Sequence, residues 1–107
     1  MSPGTVVIVD FPGATGIKRR PAIVLSSPTY HAERPDAILT AVTTKVTKAT
    51  AKTDYVLEDW AAAGLDRPSA VRIFIGTRPR SELTTIGNLS LRDWDEVQKI
   101  LRISVEF

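Results

Sequence analysis

Apolar positions along this chain come mostly in short β-branched bursts, and only once in a helical rhythm. Val6-Val7-Ile8-Val9, followed by Pro12-Gly13, is too short for a helix and predicts a strand. Ala22 to Ser26 predicts a second strand, apolar on both faces and therefore central in a sheet. Ala37 to Thr43 predicts a third, Tyr55 to Leu57 a short fourth, Ser69 to Ile75 a fifth and Thr84 to Leu89 a short sixth. Phe11 to Arg19, punctuated by Pro12, Gly13 and Gly16, predicts a loop, and so does Pro28 to Pro35. Glu58 to Ala63 predicts one or two helical turns closed by Gly64.

The helical rhythm lies at the end. Ser90 to Ser104 predicts a helix with Ser90 as its cap and Asp93 completing a capping box. Asp93, Asp95 and Glu96 sit early, and Lys99 and Arg102 late, as the helix dipole favours. Leu91, Trp94, Val97, Leu101 and Val105 form an apolar stripe, to be buried in the core or at an interface. Several short strands before one terminal helix predict a mainly β fold, a small antiparallel barrel with the helix packed on it. The length, 107 residues, suits a single domain spanning 1–107.

Composition narrows the chemistry. Hydrophobic residues make up 43% and charged residues 24%, ordinary for a soluble globular protein, and no apolar run could span a membrane. The amino terminus lacks the pattern of a signal peptide, so a cytoplasmic protein is expected. There is no cysteine and only one histidine, His31, so neither a thiolate nor a histidine cluster can bind metal, and no cofactor motif is present. The net charge is only +2, yet residues 1–52 carry +4 and residues 53–107 carry −2. The amino half is the part able to attract a polyanion.

Two segments sharpen that reading. Pro21 restricts Arg20 to an extended backbone and gives its guanidinium fork a defined direction at the mouth of a strand. Between Ala37 and Thr53 there is no acid, but there are three lysines and six threonines. Ammonium charge and hydroxyl hydrogen bonds suit phosphate oxygens, and the same residues also suit a solvated loop whose threonines bond their own backbone. Ser26-Ser27 has no nucleophile elbow around it, and a triad on His31 would need Glu33 or Asp36. Tyr30, His31 and Tyr55 are candidates for stacking on bases.

The order of motifs carries a resemblance. Gly4 to Pro12 reads Gly-x-Val-Val-x-Val-Asp-Phe-Pro, and Arg19 to Ser27 reads Arg-Arg-Pro-Ala-Ile-Val-Leu-Ser-Ser. A strand ending in Thr43-Thr44 follows, then Gly64-Leu65-x-x-Pro68-Ser69, Val71-Arg72 and Ile86-Gly87-x-Leu89-Ser90. Over nearly the whole chain this resembles the MazF/PemK family of type II toxin–antitoxin toxins. The resemblance implies an SH3-like small barrel, a homodimer, and single-stranded RNA as substrate. It implies cleavage at short sequences without metal, by attack of the 2′-hydroxyl to give 2′,3′-cyclic phosphate and 5′-hydroxyl ends, and an acidic-tailed antitoxin as partner.

The family's catalytic arginine and threonine match Arg20 and Thr43. Arg19, Lys45 and Lys48 would guide the RNA backbone, with Lys18 and Thr44 beside them among the RNA-binding positions. Ser27, Ser69 and Arg72 stand at recurrent family positions and either line the groove or pin loops. A guanidinium stays protonated near neutrality, so electrostatic stabilisation by Arg20 is the preferred role, ahead of acid and then base. Many members carry a longer loop before the Arg-Pro pair, often with a glutamate; Gly13 to Lys18 is short and has no acid, which leaves His31 as a candidate for proton transfer. Two alternatives stand: an inactive RNA-binding barrel of the same fold, or a topoisomerase-directed toxin of a related barrel family. The second would act through Trp94 and Val105-Glu106-Phe107.

Overall fold

Successive residues of a strand point to opposite faces, so a strand apolar at every position needs cover on both sides. The computed structural model describes residues 1–13 and 16–106; Ala14, Thr15 and Phe107 lie outside the described residues. Within it, β1 (Thr5–Gly13), β2 (Gly16–Val24), β3 (Asp36–Thr43), β4 (Asp54–Val56), β5 (Ala70–Pro79) and β6 (Thr84–Asn88) form one sheet in the order β4-β5-β3-β2-β1-β6. All its pairings are antiparallel. Helix α1 (Pro28–Glu33) links β2 to β3, and helix α2 (Leu91–Ser104) follows β6.

The two faces bury separate clusters. Val6, Ile23, Val42 and Val71 pack with Val97 and Ile100 of α2. Their strand neighbours Val7, Val9, Ala22, Val24, Leu39 and Ala41 form the second cluster, with Leu83 against it. No helix is needed over this second face, because the sheet curls. The Arg78 Nε of β5 donates to the Asp10 carbonyl of β1 at 3.0 Å, although β3 and β2 lie between them. In a flat sheet those strands would be about 14 Å apart, beyond the reach of an arginine. The expected small barrel with a terminal helix is thus present as a curled, six-stranded half-barrel.

Several boundaries differ from expectation. The loop expected from Phe11 to Arg19 is largely the two arms of a hairpin, paired as far as Gly13 opposite Gly16. Pro12 is tolerated because β6 accompanies β1 only from Thr5 to Ile8, leaving the later outer edge of β1 without a ladder that needs its missing N–H. The loop expected from Pro28 to Pro35 contains α1: the Ser27 hydroxyl accepts from the Tyr30 amide, and Pro28 opens the first turn. No residue of α1 is buried, so its sequence shows no apolar stripe. The lysine–threonine segment contains a 3₁₀ turn at Val46–Lys48.

The turn at 58–64 forms as one helical turn. Leu65 N–H bonds the Trp60 carbonyl and Gly64 N–H bonds the Ala61 carbonyl, the two bonds of a Schellman closure, with Gly64 at φ +88°. This turn lies directly on β6. A methyl at Gly64 would come within 2.2 Å of the Ile86 carbonyl, and one at Gly87 within 2.3 Å of the Ala63 carbonyl. The glycines of two separate sequence motifs are therefore one contact. Gly87→Ala is expected to destabilise the fold by about 1–3 kcal/mol, since two backbones must separate. Urea unfolding measures this, and an unchanged midpoint would show that the approach is not tight.

Helix α2 starts at the expected cap: Ser90 Oγ accepts from the Asp93 amide at 3.3 Å. The reciprocal half of the capping box is not made, because the Asp93 carboxylate is fully buried and bonds elsewhere. The apolar stripe also shifts. Val97 and Ile100 are buried with Asp93, while Leu91 is 88% exposed and Val105 is exposed. Trp94 packs against the first cluster. Among the described residues no helix is long and apolar enough to cross a membrane.

Candidate nucleic-acid interface

The middle of β2, where Arg20 lies inside the strand and not at its mouth as expected, and the end of β3 build the site. Their ladder places Ala22 opposite Ala41, Ile23 opposite Thr40 and Val24 opposite Leu39. Two positions beyond the Ala22–Ala41 pair stand Arg20 and Thr43, on the same face by the two-residue period. That face is the one carrying the second cluster, so apolar packing of Ala22 and Ala41 underlies the polar pair. The chain passes from buried strand to basic rim within two residues.

A hollow of about 730 Å³ opens there. Lys18, Arg19, Arg20, Lys45 and Arg72 line it with Thr43 and Thr44, and among the described residues Asp54 is its one carboxylate. A smaller hollow of about 350 Å³ lies on the other side of Arg19-Arg20-Pro21 and is walled by Gly64, Leu65 and Asp66. Arg20 and Pro21 therefore form a ridge between two depressions.

The hydroxyl of Thr43 is oriented. Its Oγ1 accepts from the Lys45 amide at 3.1 Å, a bond two residues long that leaves the O–H proton to donate outward. Arg72 is oriented as well: its Nε lies 3.8 Å from Asp54 Oδ1, and the Asp54 side chain is 7% exposed. Asp54 also accepts from the Ala51 amide at 3.1 Å. Arg19 is shared with Asp10 at 3.9 Å, both largely solvated, so that contact restrains it little.

Asp54 was not legible as a site residue. In sequence it is the acid that ends the acid-free segment; only the β4–β5 pairing, Asp54 opposite Arg72, puts it in the hollow. Phe74 was missed as well, though it lines the same wall.

The remaining sequence candidates lie elsewhere. Ser27 caps α1, and Lys48 is exposed on the 3₁₀ turn. Ser69 is buried and donates to the Arg67 carbonyl at 2.9 Å, pinning the entry to β5. None of these three lines either hollow. The hydroxyls of Tyr30 and Tyr55 donate to Asp36 and Asp93.

His31 also stands apart, on α1. Its Nε2 is 2.6 Å from Ser26 Oγ, and that oxygen already accepts from the Ile38 amide at 2.9 Å. The Ser26 proton is thus left to donate to a neutral imidazole. Burial first, then the Arg80 charge, hold His31 below its ordinary 6.5. The unfolded chain then takes up a proton before the folded chain does, so stability is fully present above about pH 6.5 and falls as the pH drops below it. Melting temperatures from pH 8 to 5 should decline more steeply for the wild type than for His31→Gln. Parallel declines would remove His31 from that pH dependence.

Among the described residues, no three His, Asp or Glu side chains converge on a point where a metal could bind. The chemistry this arrangement offers is anion binding: charge from guanidinium and ammonium groups, plus one directed hydroxyl.

No curated protein sequence matches the chain. Solved structures share its fold at low identity. An endoribonuclease bound to its cognate antitoxin from a mycobacterial species superposes with a TM-score of 0.77 at 17% identity, covering 97% of this chain and 93% of that one. The Mycobacterium tuberculosis toxin MazF-mt6 gives 0.76 at 20% identity, covering 96% and 99%. A MazE–MazF structure from Deinococcus radiodurans gives 0.74 at 19%, covering 97% and 94%. The family model for PemK-like, MazF-like toxins matches residues 2–105, nearly the full length. The chain therefore belongs to the PemK-like, MazF-like toxins of type II toxin–antitoxin systems.

Proposed function

We propose that this toxin is a metal-independent endoribonuclease that cuts single-stranded RNA. The observation carrying the proposal is that Arg20 and Thr43 share one hollow with Lys18, Arg19, Lys45 and Arg72. The 2′-oxygen bonds the adjacent phosphorus as its proton leaves, and the bond to the 5′-oxygen breaks as that oxygen takes up a proton. The products are a 2′,3′-cyclic phosphate and a 5′-hydroxyl. Negative charge grows on the non-bridging oxygens, where Arg20 and the outward Thr43 O–H stabilise it. Lys18, Arg19, Lys45 and Arg72 hold flanking phosphates.

The chain acts as a homodimer in this reading, and an antitoxin neutralises it. One relative was crystallised with its cognate antitoxin. Charge complementarity calls for an acidic segment in the same hollow, with association that weakens in salt.

The test is incubation of the purified protein with a long, partly unpaired mRNA in EDTA, followed by mapping of the ends. The expected products carry 5′-hydroxyls that a polynucleotide kinase labels directly, and cyclic-phosphate 3′ ends. Absence of cleavage, or products with free 3′-hydroxyls, would overturn the proposal.

A further inference from the structure

A bulge in the sheet shapes one wall of the larger hollow. Thr40 stands opposite Ile75, and Val42 stands opposite Val71. One residue of β3, Ala41, therefore faces three of β5: Arg72, Ile73 and Phe74. The ladder is interrupted there, and the Thr40 hydroxyl, completely buried, takes over. Its Oγ1 donates to the Arg72 carbonyl and accepts from the Phe74 amide at 3.2 Å. Arg72, Ile73 and Phe74 all border the hollow, and Ile73 also packs against the first cluster. Bulges beside sites re-aim side chains in this way.

Phe74 is 48% exposed, although a phenyl ring gains by burial. It stands on a wall shared with five cations and one carboxylate. Phosphate binding alone has no use for it. A nucleotide joins an anion to a flat aromatic face, and cations beside a phenyl ring match both parts.

We propose that Phe74 is the stacking platform for a nucleobase of single-stranded RNA, next to a flanking phosphate held by Arg72. This rests on the ribonuclease reading above. The ring stacks on any base, so Phe74 sets affinity and the placement of the strand, while base identity is read elsewhere. Thr40 acts through Phe74 and Arg72 as a positioning residue.

The experiment uses two probes with the full chain: a 12-mer RNA of randomised sequence with 2′-O-methyl groups, which block the nucleophile, and inorganic polyphosphate, which has charge and no bases. Phe74→Ala is expected to weaken RNA binding by roughly ten- to a hundredfold and to leave polyphosphate binding unchanged. Phe74→Trp is expected to bind RNA as tightly as the wild type, while Phe74→Leu, with bulk and no aromatic face, falls with the alanine variant.

Equal RNA affinity of the alanine and wild-type proteins would overturn the proposal. If Arg20→Ala still abolished cleavage of unmodified RNA, the ribonuclease reading would survive that result. A parallel loss for both probes would assign Phe74 to shaping the charged hollow, and overturn stacking. Unchanged RNA affinity with loss of self-association by sedimentation would make Phe74 a protein contact, and would likewise overturn stacking. If the wild-type protein neither bound nor cut RNA, both proposals would fall together.

Discussion

Arg20→Ala is expected to reduce the rate of RNA cleavage by about 10²–10³-fold while leaving the protein folded. The loss should appear in kcat more than in KM. The guanidinium acts on charge that appears only in the transition state, and Lys18, Arg19, Lys45 and Arg72 remain to bind the ground state. Arg20→Lys should recover only part of the rate, because an ammonium keeps the charge without the bidentate fork. Thr43→Val should lower the rate as well, and Thr43→Ser should restore it, since serine keeps the oxygen that accepts the Lys45 amide and the proton that faces outward. Single-turnover rates on one mapped site provide the measurement. A rate for Arg20→Ala within a factor of a few of the wild type would place the chemistry elsewhere.

The second large effect concerns stability. Asp93→Ala is expected to cost at least about 3 kcal/mol, because three donors lose their acceptor inside the protein. Asp93 Oδ1 accepts from the Tyr55 hydroxyl at 2.6 Å and the Glu58 amide at 3.1 Å, and Oδ2 accepts from the Asp59 amide at 2.8 Å. Burial first, and then Asp93 itself, push the Tyr55 hydroxyl well above its ordinary value, so it stays a donor. The knot extends outward: Asp59 takes both nitrogens of an Arg92 fork at 2.7 Å and the Ser90 hydroxyl at 2.5 Å. Those bonds, the Arg92 fork first, hold the Asp59 carboxyl down to about 2.

Loss of Asp93 therefore unties the 58–64 turn from α2, and with it the wall of the smaller hollow. The melting temperature should fall by roughly 12 °C or more in a chain of this size. Tyr55→Phe, which removes one donor and leaves the two amides satisfied, should cost only about 1 kcal/mol. A drop for Asp93→Ala no larger than that of Tyr55→Phe would show that the amides find other partners.

Much of this protein was legible in its order of residues. Short β-branched bursts separate strands from the terminal helix α2 because a strand repeats every two residues and a helix every 3.6 or so. Ala22 to Val24, apolar at successive positions, had to be central, and it is. Pro21 made Arg20 extended, and the polar ending of the next strand marked Thr43 as its companion. Helix α1 was hidden because no residue of it is buried, leaving capping as its only signal. Asp93 misled for the opposite reason: a carboxylate at the third helical position satisfies the capping pattern, while its bonds go to a turn more than thirty residues earlier.

What the chain determined by itself is local: where most strands and the terminal helix run, which strand is central, and the extended backbone at Arg20-Pro21. These depend on side-chain period and backbone restriction, which act between neighbours. What only the tertiary structure decided is which distant residues meet. The β4–β5 register sets Asp54 against Arg72. The bulge held by Thr40 turns Phe74 toward the hollow. The curl of the sheet closes its second face without a helix. Such contacts depend on register and packing across the whole sheet, which no stretch of sequence encodes alone.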